Sequence, residues 1–317
     1  MILLITHGLD EHGLEVMARL RRRDADPVVL DTAQFPTEIA ITVKSSDPGT
    51  WLGKAVLEGV ERDLTDIRVA WWRRPLPFVL HDAIRDDEDR AFAYGECQAA
   101  ITGLWSCLDA LWINDPGRDE VAARKMYQLM VASRIGLRTP RTCITTDANA
   151  AATFVADEGP AGVIYKSFSA TEKAWRETRV LRPEERGLLD NVRFAPVIFQ
   201  EHIPAALDVR ITVVGDRMFA AEIASQETAY PHDFRMMMDD APIPPHVLPA
   251  PVERQLRELM SWFGLVYGAI DMRLTPDGDY VFLEVNPAGQ WLFVEQRTAQ
   301  PITEALCDLM IDADADP

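Results

Sequence analysis

YVFLEVNPAGQW, residues 280–291, is a strand-like stretch in which two polar residues, Glu284 and Asn286, stand two positions apart. Side chains two positions apart in a strand project from the same face. Three apolar residues alternate with them: Val281, Leu283 and Val285. This alternation predicts a strand with one face that packs on a core and one polar face that holds a ligand.

A second strand is expected immediately before it, in VYGAIDMRL (266–274). Asp277-Gly278, between the two strands, is a favoured two-residue hairpin turn, and a turn centred there places Asp271 directly opposite Glu284. Two carboxylates whose Cβ atoms are about 4.5–5.5 Å apart repel each other. A bound Mg²⁺, which prefers oxygen ligands, would remove this repulsion. Two alternatives remain open: an acidic surface without an ion, and a loop with a bulge that shifts the register and separates the acids.

Length and composition indicate a globular protein of two or three lobes. The chain has 317 residues, 48% of them apolar, which is enough for a sizeable core. Its net charge of −18 and the absence of a basic run argue against a nucleic-acid partner. The N-terminus has no basic region before its short apolar run, and nothing resembles a spanning helix, so no membrane association is expected.

The cysteines indicate a reducing compartment. None of the four is in a CxxC motif, which argues against zinc and redox sites and predicts buried free thiols in a cytoplasmic protein. They are Cys97, Cys107, Cys143 and Cys307.

The first third of the chain has the pattern of an α/β domain. Buried strands are expected at 1–6 and 27–31, with a helix near 11–23 between them. This βαβ opening predicts a Rossmann-like domain over residues 1–115. The boundary lies in INDPGRDE (113–120), which combines Pro, Gly and a helix-start signal.

The remainder is expected to be α+β. Helices are predicted near 119–135 and 252–263, and a hairpin over 208–225 that turns at Gly215. We divide this part into a central lobe, residues 116–199, and a C-terminal lobe, residues 200–317, that carries the metal site.

Four cations stand where they could meet phosphate groups: Lys125, Lys166, Arg210 and Arg235. A lysine in an apolar strand, such as Lys166 in VIYKSF, is unfavourable unless its ammonium group meets an anion. Arginine binds phosphoryl and carboxylate groups with two parallel hydrogen bonds. Each of these residues taken alone is more often structural.

The order of these motifs resembles that of the ATP-grasp ligases, in which two α+β lobes hold a nucleotide between them. The resemblance covers about residues 115–310, and its most specific part is GAIDMRL followed by FLEVNPAGQW. It implies an ATP-grasp fold, preceded here by a pre-ATP-grasp domain, with ATP and Mg²⁺ as cofactors.

The resemblance also implies roles for individual residues. The phosphates would be bound by Lys125 and Lys166. The adenine would be bound at a hinge formed by Gln200, Glu201, His202 and Ile203, and the ribose by Asp208. Magnesium would be held by Asp271, Glu284 and Asn286. The loop 167–178 would cover the triphosphate, although it has Ser167, Ser169 and Thr171 where many members have glycines.

A narrower resemblance extends over nearly the whole chain. VAWWRRP (69–75), KMYQLMVASRIGLRTPRT (125–142) and HDFR (232–235) are similar to segments of the microviridin-type, or graspetide, ATP-grasp synthetases. The implied partner is a ribosomally made precursor peptide with a leader and a core. The implied reaction activates a Glu or Asp side chain as an acyl phosphate, which a Thr, Ser or Lys side chain of the same peptide then attacks.

In that reaction Arg210 and Arg235 would act at the phosphoryl and carboxylate end. His232 and Asp233 are candidate proton acceptors. Arg73 and Arg74 would either bind acidic residues of the peptide or pair with carboxylates of the protein, whereas Trp71 and Trp72 belong to the core. Similar synthetases are commonly homodimers, so a homodimer is expected.

Two other functions compete with this one. An ATP-grasp ligase could join a free amino acid or small amine to a carboxylate, as the glutamate-ligase and glutathione-synthetase branches do. A regulatory protein could bind nucleotide without turnover, but the full Asp271, Glu284 and Asn286 set argues against it.

Overall fold

The computed structural model describes residues 1–47, 50–158, 162–168, 178–224 and 243–315. Its strands, in chain order, are β1 (Ile2–Ile5), β2 (Pro27–Leu30), β3 (Ile41–Asp47), β4 (Thr50–Leu57), β5 (Val60–Asp63), β6 (Val69–Trp72), β7 (Leu111–Ile113), β8 (Thr142–Thr145), β9 (Val163–Lys166), β10 (Arg179–Val180), β11 (Val197–Glu201), β12 (Leu207–Val214), β13 (Arg217–Ile223), β14 (Tyr267–Leu274) and β15 (Tyr280–Asn286). Its helices are α1 (Glu11–Arg22), α2 (Asp87–Cys107), α3 (Pro116–Ala122), α4 (Lys125–Arg134), α5 (Ala148–Asp157), α6 (Ala250–Phe263), α7 (Leu292–Thr298) and α8 (Ile302–Ala315).

The N-terminal part is built on a parallel sheet in the order β2-β1-β6-β7, which confirms the predicted α/β class. Helix α1 begins where Asp10 caps it by accepting a hydrogen bond from the Gly13 amide at 3.1 Å. A small antiparallel sheet, β3-β4-β5, was not predicted. Its third strand, VERD, has exposed and half-buried residues and therefore no apolar alternation to reveal it.

Two antiparallel sheets follow, as expected for an α+β segment. The central sheet has the order β10-β9-β11-β8, and the C-terminal sheet has the order β13-β12-β14-β15. The hairpin predicted at Gly215 is present between β12 and β13, and Gly215 has the positive φ of 54° that the turn requires.

The single helix predicted over 119–135 is wrong, because the chain forms α3 and α4 with a break between them. Arg124 is extended at this break. The buried side chain of Gln128 donates from Nε2 to the carbonyl oxygen of Ala122 at 2.5 Å, which satisfies a group at the end of α3. The break places Lys125 in the first turn of α4.

One apolar core joins the first sheet to the C-terminal sheet. It contains Ile2 and Trp71 from the first sheet, Val214 from β12, and Leu306 and Met310 from α8. The C-terminal helix therefore packs between the two sheets. The opposite face of the first sheet packs on a separate core under α2. The opposite face of the C-terminal sheet packs on another core under α4 and α6.

Trp71 is buried as predicted, and Trp72 packs edge-on against Trp105. All four cysteines are free thiols, and Cys97 and Cys307 are buried as expected. The expectation of burial is wrong for Cys107, which is exposed, and holds only in part for Cys143, which is half-buried. None of the described helices combines the length and hydrophobicity needed to cross a bilayer.

Candidate active site

The hairpin of β14 and β15 has the register that brings its two acids together. Asp271 pairs directly with Glu284, as predicted. The two-residue turn is wrong, since Leu274 pairs with Tyr280 and the connection is a longer loop. The Thr275 amide closes it by donating to Asp279 O at 3.0 Å. A bulge after Asp271 compensates for the longer loop and restores the predicted pairing.

The bulge also changes which residues of β15 pack on the core. Phe282 and Val285 belong to the core beneath the sheet, whereas Leu283 is only half-buried. The predicted apolar face is therefore wrong at Leu283, because the bulge interrupts the simple alternation on which the prediction was based.

Two Asp-x-Arg segments lie side by side on the polar face of the C-terminal sheet. Arg210 on β12 pairs with Asp271 on β14, and Asp208 pairs with Arg273. The N···O distances are 2.7 Å for the first ion pair and 2.9 Å for the second, and all four residues are buried. Arg273 was missed in the sequence, although the repeated pattern DVR and DMR carried the signal.

Glu284 has a cation of its own. Lys125 Nζ lies 2.5 Å from Glu284 Oε2, so each facing carboxylate is neutralised by a basic side chain of the protein. The repulsion between Asp271 and Glu284 therefore does not by itself require a metal ion. Lys125 reaches this position because the break between α3 and α4 turns the start of α4 toward β15.

The donor set nevertheless suits magnesium. The Glu284 side chain keeps 22% of its surface exposed and Asn286 is exposed at the end of the same strand. Among the described residues there is no group of three or more His, Cys, Asp or Glu side chains placed to hold a metal. Two carboxylates and an amide fit an ion that keeps waters and phosphate oxygens as its other ligands.

The predicted hinge lies where β11 of the central sheet leads to β12 of the C-terminal sheet. Gln200 is buried and donates from Nε2 to Thr142 Oγ1 at 3.0 Å. The Glu201 carboxylate accepts a hydrogen bond from the Arg141 amide at 3.1 Å. Both residues are thereby fixed to the strand β8 side of the central sheet.

The next two hinge residues make backbone contacts to both sheets. The His202 amide donates to Gly162 O at 3.0 Å, and Ile203 O accepts from Arg273 Nη1 at 3.0 Å. Since Arg273 also pairs with Asp208, one arginine connects the hinge to the predicted ribose-binding acid.

The remaining predicted site residues lie at the end of β9, in the loop 167–178 and in HDFR (232–235). Lys166 ends β9, half-buried, opposite Ile198 of β11. Arg235, His232 and Asp233 lie outside the described residues, as does most of the loop 167–178, including Ser169 and Thr171.

The segment after Asn286 is a tight turn. The Ala288 amide donates to Asn286 Oδ1 at 3.0 Å, and the Gly289 amide donates to Asn286 O at 3.1 Å. A Cβ atom on Gly289 would lie 2.2 Å from Ala269 Cβ, so only glycine fits there. The turn leads into Trp291, whose ring centroid is 4.3 Å from that of His12 in α1.

His12 makes the stability of this junction depend on pH. Burial, reinforced by the nearby Arg73, lowers the pKa of His12 from 6.5 to about 3. As the pH falls below 6.5, His12 becomes protonated in the unfolded chain but stays neutral in the folded chain. The free energy of unfolding therefore decreases between pH 6.5 and about 3. Asp119 has the opposite effect on stability, because burial raises its pKa to about 6. In the same pH range the folded chain takes up a proton at Asp119 before the unfolded chain does, which increases the free energy of unfolding.

We therefore expect the variant His12→Gln to remove one component of acid destabilisation. Between pH 7 and pH 5, the free energy of unfolding of the wild type should fall by roughly 2 kcal/mol more than that of the variant. Urea titrations of both proteins at the two pH values measure this difference. Equal changes in both proteins would contradict a depressed His12 pKa.

The geometry can be compared with that of known proteins. Residues 1–120 match the family described as the MvdD pre-ATP grasp domain. The macrocyclase MdnC of Microcystis aeruginosa MRC, solved with the precursor peptide MdnA, is 29% identical, with 98% of this chain and 99% of that chain covered and a TM-score of 0.86. The chain therefore has the fold of the ATP-grasp ligases.

Two further ATP-grasp ligases have the same fold over nearly their whole length. A RiPP-associated ATP-grasp ligase of Chryseobacterium gregarium, solved with ADP and a leader and core peptide, is 26% identical, covers 98% of this chain and 96% of its own, and has a TM-score of 0.88. The ligase PsnB, solved with a phosphomimetic variant of a minimal precursor, Mg and ADP, is 25% identical, covers 98% of each chain, and has a TM-score of 0.77. No curated protein has a significantly similar sequence. The predicted ATP-grasp fold and its pre-ATP-grasp domain are thereby confirmed.

Proposed function

We propose that this ATP-grasp ligase crosslinks a ribosomally made precursor peptide within itself. A Glu or Asp carboxylate of the peptide attacks the γ-phosphorus of ATP, which gives an acyl phosphate and ADP. A Thr or Ser hydroxyl or a Lys amine of the same peptide then attacks the acyl carbon, loses its proton, and expels phosphate. An ester or amide ring remains.

The observation that carries this proposal is whole-chain similarity to ligases solved with precursor peptides, 25–29% identical, with about 98% of this chain covered. The covered residues include those of the N-terminal domain and the C-terminal sheet. The similarity to peptide-bound ligases favours a peptide substrate over a free amino acid or small amine. The paired acids and cations of the site favour turnover over nucleotide sensing.

Magnesium and ATP are the cofactors we propose. Mg²⁺, when bound, would neutralise charge on the transferring phosphoryl group. Asp271, Glu284 and Asn286 would hold it. The structure of PsnB, solved with Mg and ADP, supports these cofactors by similarity. Lys125 and Lys166 would bind phosphate oxygens, and the hinge of Gln200, Glu201, His202 and Ile203 together with Asp208 would bind the nucleoside.

Arg210 has the clearest role among the residues of the chain. Its guanidinium binds Asp271 through Nη1 and the Gln290 carbonyl through Nη2 at 3.0 Å, so it is held rigidly beside the acids. A fixed, buried cation stabilises charge that develops on phosphoryl and acyl oxygens. We propose that Arg235 also acts on the phosphoryl and carboxylate groups. The acyl phosphate is already activated, so no enzyme nucleophile is required.

The proposal is tested by incubating the protein with ATP, Mg²⁺ and a Thr- and Glu-rich candidate precursor peptide. Mass spectrometry should show the loss of one water per bond formed, and phosphate release should rise with the peptide. An unmodified peptide with no stimulated phosphate release would contradict the proposal. Stimulation by a free amino acid or amine instead would support the small-molecule ligase.

Three further proposals concern the whole chain. Residues 1–115, 116–199 and 200–317 would be the pre-ATP-grasp domain, the central lobe and the C-terminal lobe. The chain would act in the cytoplasm, in keeping with its free cysteines. It would form a homodimer, as similar synthetases suggest, which light scattering on the purified protein measures.

A further inference from the structure

The loop formed by residues 287–290, directly after Asn286, is held by side chains rather than by strand pairing. Each of its four successive carbonyl groups accepts a hydrogen bond from a side chain. The donors are Asn114, Arg73, Tyr267 and Arg210. Two of them, Asn114 and Arg73, follow strands β7 and β6 of the first sheet, so the N-terminal domain holds a loop that belongs to the active site.

Arg73 makes the most direct of these links. Its side chain is buried, with 1% of the residue exposed. Nη1 donates to two consecutive carbonyl oxygens, that of Ala288 and that of Gly289, the second at 2.9 Å. Asp10 Oδ2 lies 3.4 Å from Nε and supplies the opposite charge. The guanidinium also lies over the ring of Trp291, 5.1 Å from its centroid.

This position excludes one of the two roles that the sequence left open for Arg73. A side chain enclosed to this degree does not contact a peptide substrate. Burying an arginine is unfavourable unless its charge is compensated. Here Nη1 donates its hydrogen bonds to the loop, and Asp10 provides the ion pair. Arg74, which is half-buried, retains the substrate-binding role as a candidate.

We propose that Arg73 is a positioning residue that fixes Asn286 through the 287–290 loop and thereby sets the affinity for magnesium and nucleotide. This rests on the proposed function, in which Asn286 is a metal ligand. Asn286 Oδ1 accepts its hydrogen bond from the Ala288 amide, and Ala288 O accepts from Arg73. The orientation of the Asn286 amide is therefore coupled to the Arg73 guanidinium through a single residue.

The variant Arg73→Lys tests this, because it keeps a positive charge near Asp10 but loses the planar group that donates to two carbonyls. In the nucleotide-free Arg73→Lys variant, the amides of Ala288 and Gly289 should exchange hydrogen at least about tenfold faster than in the wild type. The calorimetric Kd for ADP with Mg²⁺ should rise about 10- to 100-fold, as is usual when a partner of a metal ligand is lost. The peptide KM should stay unchanged, and excess Mg²⁺ should restore part of the turnover.

A second variant, Gly289→Ala, perturbs the same loop independently, since its Cβ atom would meet Ala269. It should show the same faster exchange and weaker nucleotide binding. If Arg73 acts through the loop, the effects of Arg73→Lys and Gly289→Ala on Kd should be less than additive in the double variant.

Ile101→Val is the matched control, because Ile101 is buried on the opposite face of the first sheet. It should lower Tm without changing the Kd for ADP and Mg²⁺. The inference would be overturned if Arg73→Lys kept the amide exchange rates and the nucleotide affinity of the wild type. It would also be overturned if the loss of nucleotide affinity in Arg73→Lys were no larger than in Ile101→Val. If the wild type leaves the peptide unmodified while Arg73→Lys still weakens nucleotide binding, the proposed function fails and the positioning role stands.

Discussion

Replacing Asp271 and Glu284 together by Asn and Gln is expected to reduce peptide-stimulated phosphate release by at least about 10³-fold. The amides remove two negative charges that the proposed ion needs, while the shapes of the side chains stay nearly the same. Arg210 and Lys125 each lose an ion-pair partner, so the local charge becomes positive. Initial rates of phosphate release at saturating ATP and peptide measure the effect.

Asp279→Asn is the matched control for this double variant. Asp279 belongs to the same hairpin, but its side chain is 60% exposed and pairs at the surface with Arg138. Surface ion pairs contribute little, so turnover should stay within about twofold of the wild type. The carboxylate assignment would be wrong if the double variant retained wild-type turnover while thermal melting showed it to be folded.

Arg210→Met is expected to lower kcat/KM by about 10²- to 10³-fold. The change removes a buried cation next to Asp271 and leaves that carboxylate without its arginine, and it also leaves the Gln290 carbonyl without its donor. Arg210→Lys should be intermediate, because an ammonium group keeps the charge but not both hydrogen bonds. Steady-state kinetics with varied ATP and varied peptide give the two specificity constants.

Arg217→Met provides the comparison for Arg210. Arg217 begins the neighbouring strand β13, is about half exposed, and pairs at 3.2 Å with Asp308 on α8. Its loss should leave kcat/KM nearly unchanged. Equal effects of the two substitutions would mean that Arg210 acts through general stability or net charge.

The sequence predicted the facing of Asp271 and Glu284, but for a partly mistaken reason. The favoured turn Asp277-Gly278 suggested a two-residue connection. The Thr275 side chain instead accepts a hydrogen bond from the Asp279 amide at 3.1 Å and stabilises a longer loop. The bulge beyond Asp271 then restored the pairing. Local propensity identified the hairpin, whereas its register depended on packing of Phe282 and Val285.

The cation partners of the acids were harder to predict. The pairs Arg210 with Asp271 and Asp208 with Arg273 join strands about sixty positions apart, so their register is set by the folded sheet. Lys125 was recognised as a functional candidate, but its contact with Glu284 depends on the break between α3 and α4. Arg73 binds backbone carbonyls, which leave no signature in a sequence.

We propose that Asp271 and Glu284, which face each other across the β14–β15 ladder, hold the divalent ion that carries the nucleotide. Anomalous diffraction from crystals grown with ADP and Mn²⁺ in place of Mg²⁺ tests this assignment. We predict a manganese peak at coordination distance from both carboxylates. A peak bound elsewhere, with Asp271 still paired to Arg210 and Glu284 to Lys125, would contradict the claim.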